Sequence, residues 1–239
     1  MNHYNIADLS VAIEGLGEAL QKKLKPYGAN TQERATMTLS INRESLSKAG
    51  ANYPHLRPDE WEYIQTGFAF ANKLLDFEGF CLHSSAVALE NRAVLFSGPC
   101  GTGKSTHAKL WQQYFGPDRA IIINDDKPAL RLRKGIFYAY GTPWSGKSAL
   151  NVNMRVPLGA IVFLNQAQEN HIRRLDSKEA VQMLIYQSLR PRDSSKMNKF
   201  LILLDVLLNN KLPVYQMNCT ISPEAVKLAY NTISHERMG

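Results

Sequence analysis

The chain has 239 residues, 44% apolar and 21% charged, a globular balance that supports one large domain or two small ones without disulfide staples. Its formal net charge of +7 suits an acidic or nucleotide ligand. The basic residues are scattered, however, and no stripe interleaved with aromatics marks a nucleic-acid surface, so nucleic acid is not an expected partner. Cys81, Cys100 and Cys219 form neither a zinc spacing nor a disulfide framework, which points to a reducing cytoplasm.

The N-terminus lacks the basic and apolar regions of a signal peptide. The longest apolar stretch, residues 200–208, is interrupted by Asp205 and falls short of the roughly 20 residues a bilayer span needs. No membrane partner is expected.

Residues 1–79 read as an N-terminal lead-in packing on a core of residues 80–239, the whole forming one compact unit. Residues 9–24 have helical spacing, and 36–41 suit a strand. Gly28-Ala29-Asn30 and Ala49-Gly50-Ala51-Asn52 are loop signals. Pro58 followed by Asp59 and Glu60 opens a helix whose apolar face would be Trp61, Ile64, Phe68, Ala71 and Leu75, with Gly79 beyond its end. Strands are expected at 84–89 and 93–97, joined by a turn at Glu90-Asn91-Arg92, and again at 120–124, 136–140 and 160–164. Helices at 178–189 and 198–209, a strand at 214–219 and a last helix capped by Ser222 with Pro223 in its first turn complete the chain.

The segment VLFSGPCGTGKST carries the most chemistry. Gly98, Gly103, Lys104 and Ser105 fill the spacing G-x-x-x-x-G-K-[ST] of a phosphate-binding loop, between an apolar run (Val94, Leu95, Phe96) and a helical pattern. Glycines let backbone N–H groups turn inward around phosphate oxygens. The loop residues Gly98, Pro99, Cys100, Gly101, Thr102, Gly103, Lys104, Ser105 and Thr106 are therefore the candidate nucleotide contacts, with Lys104 on the terminal phosphates and Ser105 on Mg²⁺.

Roughly 20 residues later an apolar strand ends in Asn124-Asp125-Asp126, acids placed where a Mg²⁺-nucleotide site needs them. Two adjacent carboxylates allow one to hold the metal and the other to take a proton from a hydroxyl. His83 stands at the start of the paired strands, fifteen residues before Gly98.

The stretch 141–148 holds a proline and two glycines and reads as a turn displaying Trp144, Ser145 and Lys147. Lys147 is a candidate to stabilise phosphate charge during transfer. Trp144 reads either as a stacking surface for a base or substrate or as a buried anchor. Arg155, a few residues on, either reaches the same anion or is solvated. Arg173-Arg174 and Arg190-Pro191-Arg192 read as solvated faces or acidic-substrate contacts.

In this order and spacing, His83, the phosphate loop and the Asp125-Asp126 pair resemble the catalytic domain of HPr kinase/phosphorylase. That bacterial protein-serine kinase shares its fold with ATP-dependent phosphoenolpyruvate carboxykinase. The resemblance covers roughly residues 80–165 and is nearest to compact HPr-kinase-related proteins found beside genes for peptide modification. It implies an α/β fold of that P-loop kinase type, a mixed and strongly twisted sheet flanked by helices. It also implies ATP and Mg²⁺, Asp125 as general base and Asp126 as metal-shell acid (the two roles being exchangeable), and His83 beside the transferred phosphate. Thr106 stands where the family has an acidic residue, and 141–148 replaces its glycine-arginine signature. The hexameric habit of the family hints at a homo-oligomer.

The expected function is an ATP- and Mg²⁺-dependent kinase acting on a hydroxyl, a serine of a peptide or small protein, with Trp144, Ser145 and Arg155 as candidate substrate contacts. The alternatives are a small-metabolite kinase and a nucleotide-dependent ATPase or switch that acts through a partner.

Overall fold

The computed structural model describes residues 2–14, 17–29, 34–40 and 55–235. At its centre stands a run of strands in which nearly every side chain is buried, the pattern of strands covered on both faces. These are β5 (Ser84–Leu89), β6 (Arg92–Ser97), β7 (Ile121–Asn124), β10 (Arg155–Gln166) and β12 (Val214–Cys219). Strand β6 runs parallel to β10, and β10 parallel to β12; β5 is antiparallel to both β6 and β7. β7 therefore points the same way as β6, and their C-terminal ends, with the start of β5, share one edge of the sheet.

Side-chain alternation divides the core. Ala93 and Leu95 of β6, with Ile161 and Phe163 of β10, face a cluster built on α4 (Ser177–Gln187) and α5 (Ser194–Asn209), including Leu184, Phe200 and Leu204. Val94, Phe96, Val162 and Leu164 face the other way, onto Trp111 of α3 (Lys104–Phe115) and Val226 and Ile233 of α6 (Pro223–His235). Asp176 and Asp193 cap α4 and α5 through side-chain bonds to Glu179 N and Lys196 N.

β10 is long enough to join two branches. Its first residues pair antiparallel with β9 (Ile136–Tyr140), which continues to β8 (Ala129–Arg133) and β4 (Gly79–Cys81), whereas its later residues pair with β6 and β12. The antiparallel β11 (His171–Arg174) borders β12.

The N-terminal residues form a small sheet, β1 (Asn2–Ile6), β2 (Leu9–Ile13) and β3 (Met37–Leu39), with α1 (Glu18–Leu24) and α2 (Pro58–Leu74). Its core is continuous with the β4–β9 branch. Ile6, Val11, Leu20, Tyr27 and Phe70 pack in one cluster with Cys81, Ala129, Tyr140 and Trp144. The buried guanidinium of Arg131 donates to the carbonyls of Ala7 and Phe77 across that junction.

Several expectations are corrected. The first half of the supposed helix 9–24 is strand β2: Leu9, Val11 and Ile13 are buried at period two, and the helix starts only at Glu18. The helix at Pro58 exists, but its buried face is Glu62, Thr66, Gly67, Phe70, Ala71 and Leu74, leaving Phe68 half exposed. Polar Glu62 and Thr66 turn inward because each has a hydrogen-bond partner there, the half-buried Gly17 N–H and the buried Trp144 indole. Gly79 does lie beyond the end of that helix, where it opens β4, and a Cβ there would lie 2.6 Å from Arg131 Cγ. The loop expected at 49–52 lies outside the described residues. Among the described residues no helix is long and apolar enough to cross a membrane.

Candidate active site

Three segments meet at the shared sheet edge. β6 ends at Ser97, and the chain turns through Gly98 to Gly103 into α3. Gly98 has φ +150°, and a Cβ on it would sit 2.9 Å from Thr102 Oγ1 and 3.0 Å from Leu164 O, so only glycine fits where the loop leaves the strand. Thr102 Oγ1 donates to Pro99 O at 2.9 Å, and Gln166 at the end of β10 donates to Gly101 O at 2.9 Å. Lys104 is buried in the first turn of α3, its ammonium donating to the carbonyls of Gly98 (2.9 Å) and Pro99 (3.0 Å). Burial pushes its pKa down, while Cys100, Asp126 and Asp125 pull it the other way, so both acids lie within electrostatic reach of the loop lysine. Ser105 is half-buried; Pro99, Cys100, Gly101 and Thr106 are exposed.

The acids follow β7 in a turn clamped from several sides. Fully buried Asn124 accepts the N–H groups of Asp126 (3.0 Å) and Lys127 (2.8 Å) and donates to Thr142 O (2.8 Å). Thr142 Oγ1 donates to Lys127 O at 2.7 Å, and Ser84 N to Asp126 O at 3.0 Å. Asp125 is buried and accepts from the Ser85 hydroxyl. Asp126 is half-buried, paired with Lys127 and 3.5 Å from Nε2 of His83.

The His83 pKa is lowered by burial and by Lys104, with Asp126 pulling the other way. The imidazole is therefore neutral near pH 7, and its approach to Asp126 is a polar contact rather than an ion pair. The His83 backbone N–H donates to the Gln187 carbonyl at the end of α4.

The turn 144–147 closes the site on another side. Gly146, at φ +63°, lies so close to Asp126 that a Cβ on it would be 3.0 Å from Asp126 Cβ. Lys147 is exposed on the next residue. Trp144 is 1% exposed, stacks on Phe70 with centroids 4.6 Å apart and donates to Thr66 Oγ1 at 3.1 Å. Its expected display is corrected: the ring is an anchor in the N-terminal core and offers no face to a ligand. Ser145 is also buried, accepting from Lys23 Nζ at 3.1 Å and lying 3.3 Å from Asn151 Oδ1. Arg155 pairs with Asp8 and lies over the Tyr138 ring, which joins it to the N-terminal sheet rather than to the acids.

Sequence reasoning missed Ser85, Asn124, Lys127, Gln187 and Lys23. Asn124 alone carried a readable signal, as an asparagine at a strand end can accept backbone N–H groups two and three residues on. The donors that would face a hard cation are the Ser105 hydroxyl and the two carboxylates, and Mg²⁺ typically takes one or two carboxylates alongside phosphate oxygens and water. The residue types fit such an ion; among the described residues no three His, Cys, Asp or Glu side chains form a cage of their own.

Residues 64–224 match the family described as SynChlorMet cassette protein ScmC, which is more than half of the chain, and the chain belongs to that family. No curated protein matches. Among solved structures, the Hpr(Ser) kinase/phosphatase from Coxiella burnetii is similar over 66% of this chain and 99% of its own, at 9% identity and a TM-score of 0.42.

Proposed function

We propose that this protein is an ATP- and Mg²⁺-dependent phosphotransferase that moves the γ-phosphoryl group to a hydroxyl, a serine of a peptide or small protein, in a cytoplasmic setting. One observation carries the reading. Because β5 runs antiparallel between β6 and β7, the phosphate loop, His83 and the acid turn emerge at one sheet edge, with His83 Nε2 3.5 Å from Asp126 Oδ1. A glycine loop opening a helix is an anion cradle, and clamped carboxylates facing it suit a metal-bound polyphosphate.

In this reading the backbone of 98–104 and the Lys104 ammonium hold the triphosphate. Lys104 exchanges the Gly98 and Pro99 carbonyls for phosphate oxygens. Ser105 and Asp126 would hold Mg²⁺, which when bound neutralises phosphate charge. Asp125, oriented by Ser85, takes the acceptor hydroxyl proton as the bond from that oxygen to phosphorus forms and the bond to the β-phosphate oxygen breaks, releasing ADP. His83, neutral, and Lys147, on the exposed turn, are the groups that would meet the transferred phosphoryl oxygens. Catalysis then rests on positioning and charge rather than on a covalent enzyme intermediate.

The test is incubation of the protein with Mg-ATP and serine-containing peptides, read by mass spectrometry for a phosphorylated product. The expected result is phosphopeptide formed by the wild-type chain and lost in Asp125→Asn, which still binds ATP. ATP hydrolysis without any phosphorylated acceptor, or transfer undiminished in Asp125→Asn, would overturn the reading.

A further inference from the structure

We propose that the N-terminal unit sets the position of the acid turn, with Lys23 and Tyr63 as the positioning residues; their effect on transfer rests on the phosphotransferase reading above. Both residues precede the segment 64–224 that matches the family, and no sequence motif singles them out. They grip the two peptide groups that flank Gly146 from two helices. The Gly146 N–H donates to Tyr63 Oη at 2.9 Å, and the Gly146 carbonyl accepts from Lys23 Nζ at 2.6 Å. Lys23 also donates to Ser145 Oγ at 3.1 Å, and its ammonium lies 5.4 Å from the centre of the Tyr63 ring. Further along the same loop, the Asn151 side-chain amide donates to Lys23 O and Tyr27 Oη at 3.2 Å.

The α-carbon of Gly146 is turned towards the acid. A Cβ on Gly146 would lie 3.0 Å from Asp126 Cβ and 3.4 Å from its Oδ2, so the Asp126 side chain leaves no room there for a residue larger than glycine without a shift. Trp144, anchored on Phe70, adds a second tie through its carbonyl, which accepts the Lys127 N–H at 3.2 Å. The chain of contact therefore runs from α1 and α2, through 144–146, to 126–127.

A lysine in this place is costly to desolvate, where an apolar side chain of similar length would fill the space without that penalty. Burial lowers the Lys23 pKa while the charge of Asp126 raises it, so ammonium and carboxylate also sense each other directly. The arrangement makes the geometry of the acid turn conditional on docking of the N-terminal helices.

The test uses the full chain with Lys23→Met, which keeps the aliphatic stem, and Tyr63→Phe, which removes one hydroxyl. Hydrogen exchange is followed over peptides spanning 122–128 and 143–148. Loss of one hydrogen bond in Tyr63→Phe should speed exchange in both segments by about tenfold, and loss of two in Lys23→Met by at least as much, with β6 and β10 unchanged. In parallel, the turnover number should fall while ATP affinity, measured with a fluorescent analogue, holds, and Lys23→Arg should recover part of the loss.

Unchanged exchange at 122–128 in both variants would overturn the proposal, as would weaker ATP binding with turnover intact. If Lys23→Met does not fold, Tyr63→Phe carries the exchange test. If the wild-type chain transfers no phosphate, the phosphotransferase reading falls, and the exchange result still decides the coupling.

Discussion

The hydroxyl of Ser85 donates to Oδ1 of Asp125 at 2.5 Å, joining the second residue of β5 to the first residue after β7. One oxygen of a buried carboxylate is thereby fixed by a neutral donor. Ser85→Ala removes that donor. A hydrogen bond to a charged group contributes about 1.5–3 kcal/mol, so turnover should fall by about tenfold to about a hundredfold with ATP affinity little changed. Steady-state kinetics with a phosphorylatable peptide checks this.

Asn124 acts on both acids at once. Asn124→Leu would leave the Asp126 N–H and the Thr142 carbonyl without their partner and the Lys127 N–H with only its longer bond to Trp144 O. Each unsatisfied group costs about 1–3 kcal/mol. The melting temperature should drop, and the segment 124–127 should exchange faster. Urea unfolding together with hydrogen exchange measures both, and a variant as stable as wild type would refute the clamp.

Trp144→Phe should separate packing from binding. The ring keeps its stack on Phe70 but loses the indole donor to Thr66. Stability should fall by about 1 kcal/mol while nucleotide affinity stays at the wild-type value. Lower affinity at unchanged stability would return Trp144 to the ligand-binding surface.

His107 makes stability depend on pH. Its imidazole is buried beneath Phe96, accepts from Trp111 Nε1 at 3.2 Å, and burial pushes its pKa down to about 4 from an ordinary 6.5. Between those values the unfolded chain binds a proton there and the folded chain does not, so stability rises with pH in that window. The contribution is fully present above about pH 6.5 and is lost as pH falls towards about 4. Denaturant unfolding at pH 7 and at pH 4.5 should show a smaller acid loss in His107→Gln than in wild type.

Much of the central architecture was legible because its strands obey simple patterns. The runs at 84–89, 136–140 and 214–219 agree with β5, β9 and β12, since apolar strands bounded by turns read clearly. Strand β8 escaped notice because one of its buried residues is Arg131, whose guanidinium is satisfied by carbonyls 54 and 124 residues away. The β1–β2 hairpin was hidden for a related reason: Ala7 and Asp8 adopt positive φ without the glycine or asparagine that usually signals such a turn. At the site, the glycine turn between β6 and α3 and the acid pair after β7 could be placed from spacing alone as candidates. Lys23 and Tyr63 were not, because they reach the loop at 145–146 only through packing of the N-terminal helices.

The interposed strand β5 also acts as a ruler. Neighbouring strands lie about 4.8 Å apart, so one strand between β6 and β7 holds the stems of the cradle and the acid turn roughly 10 Å from each other. A guest that touches both must have comparable reach.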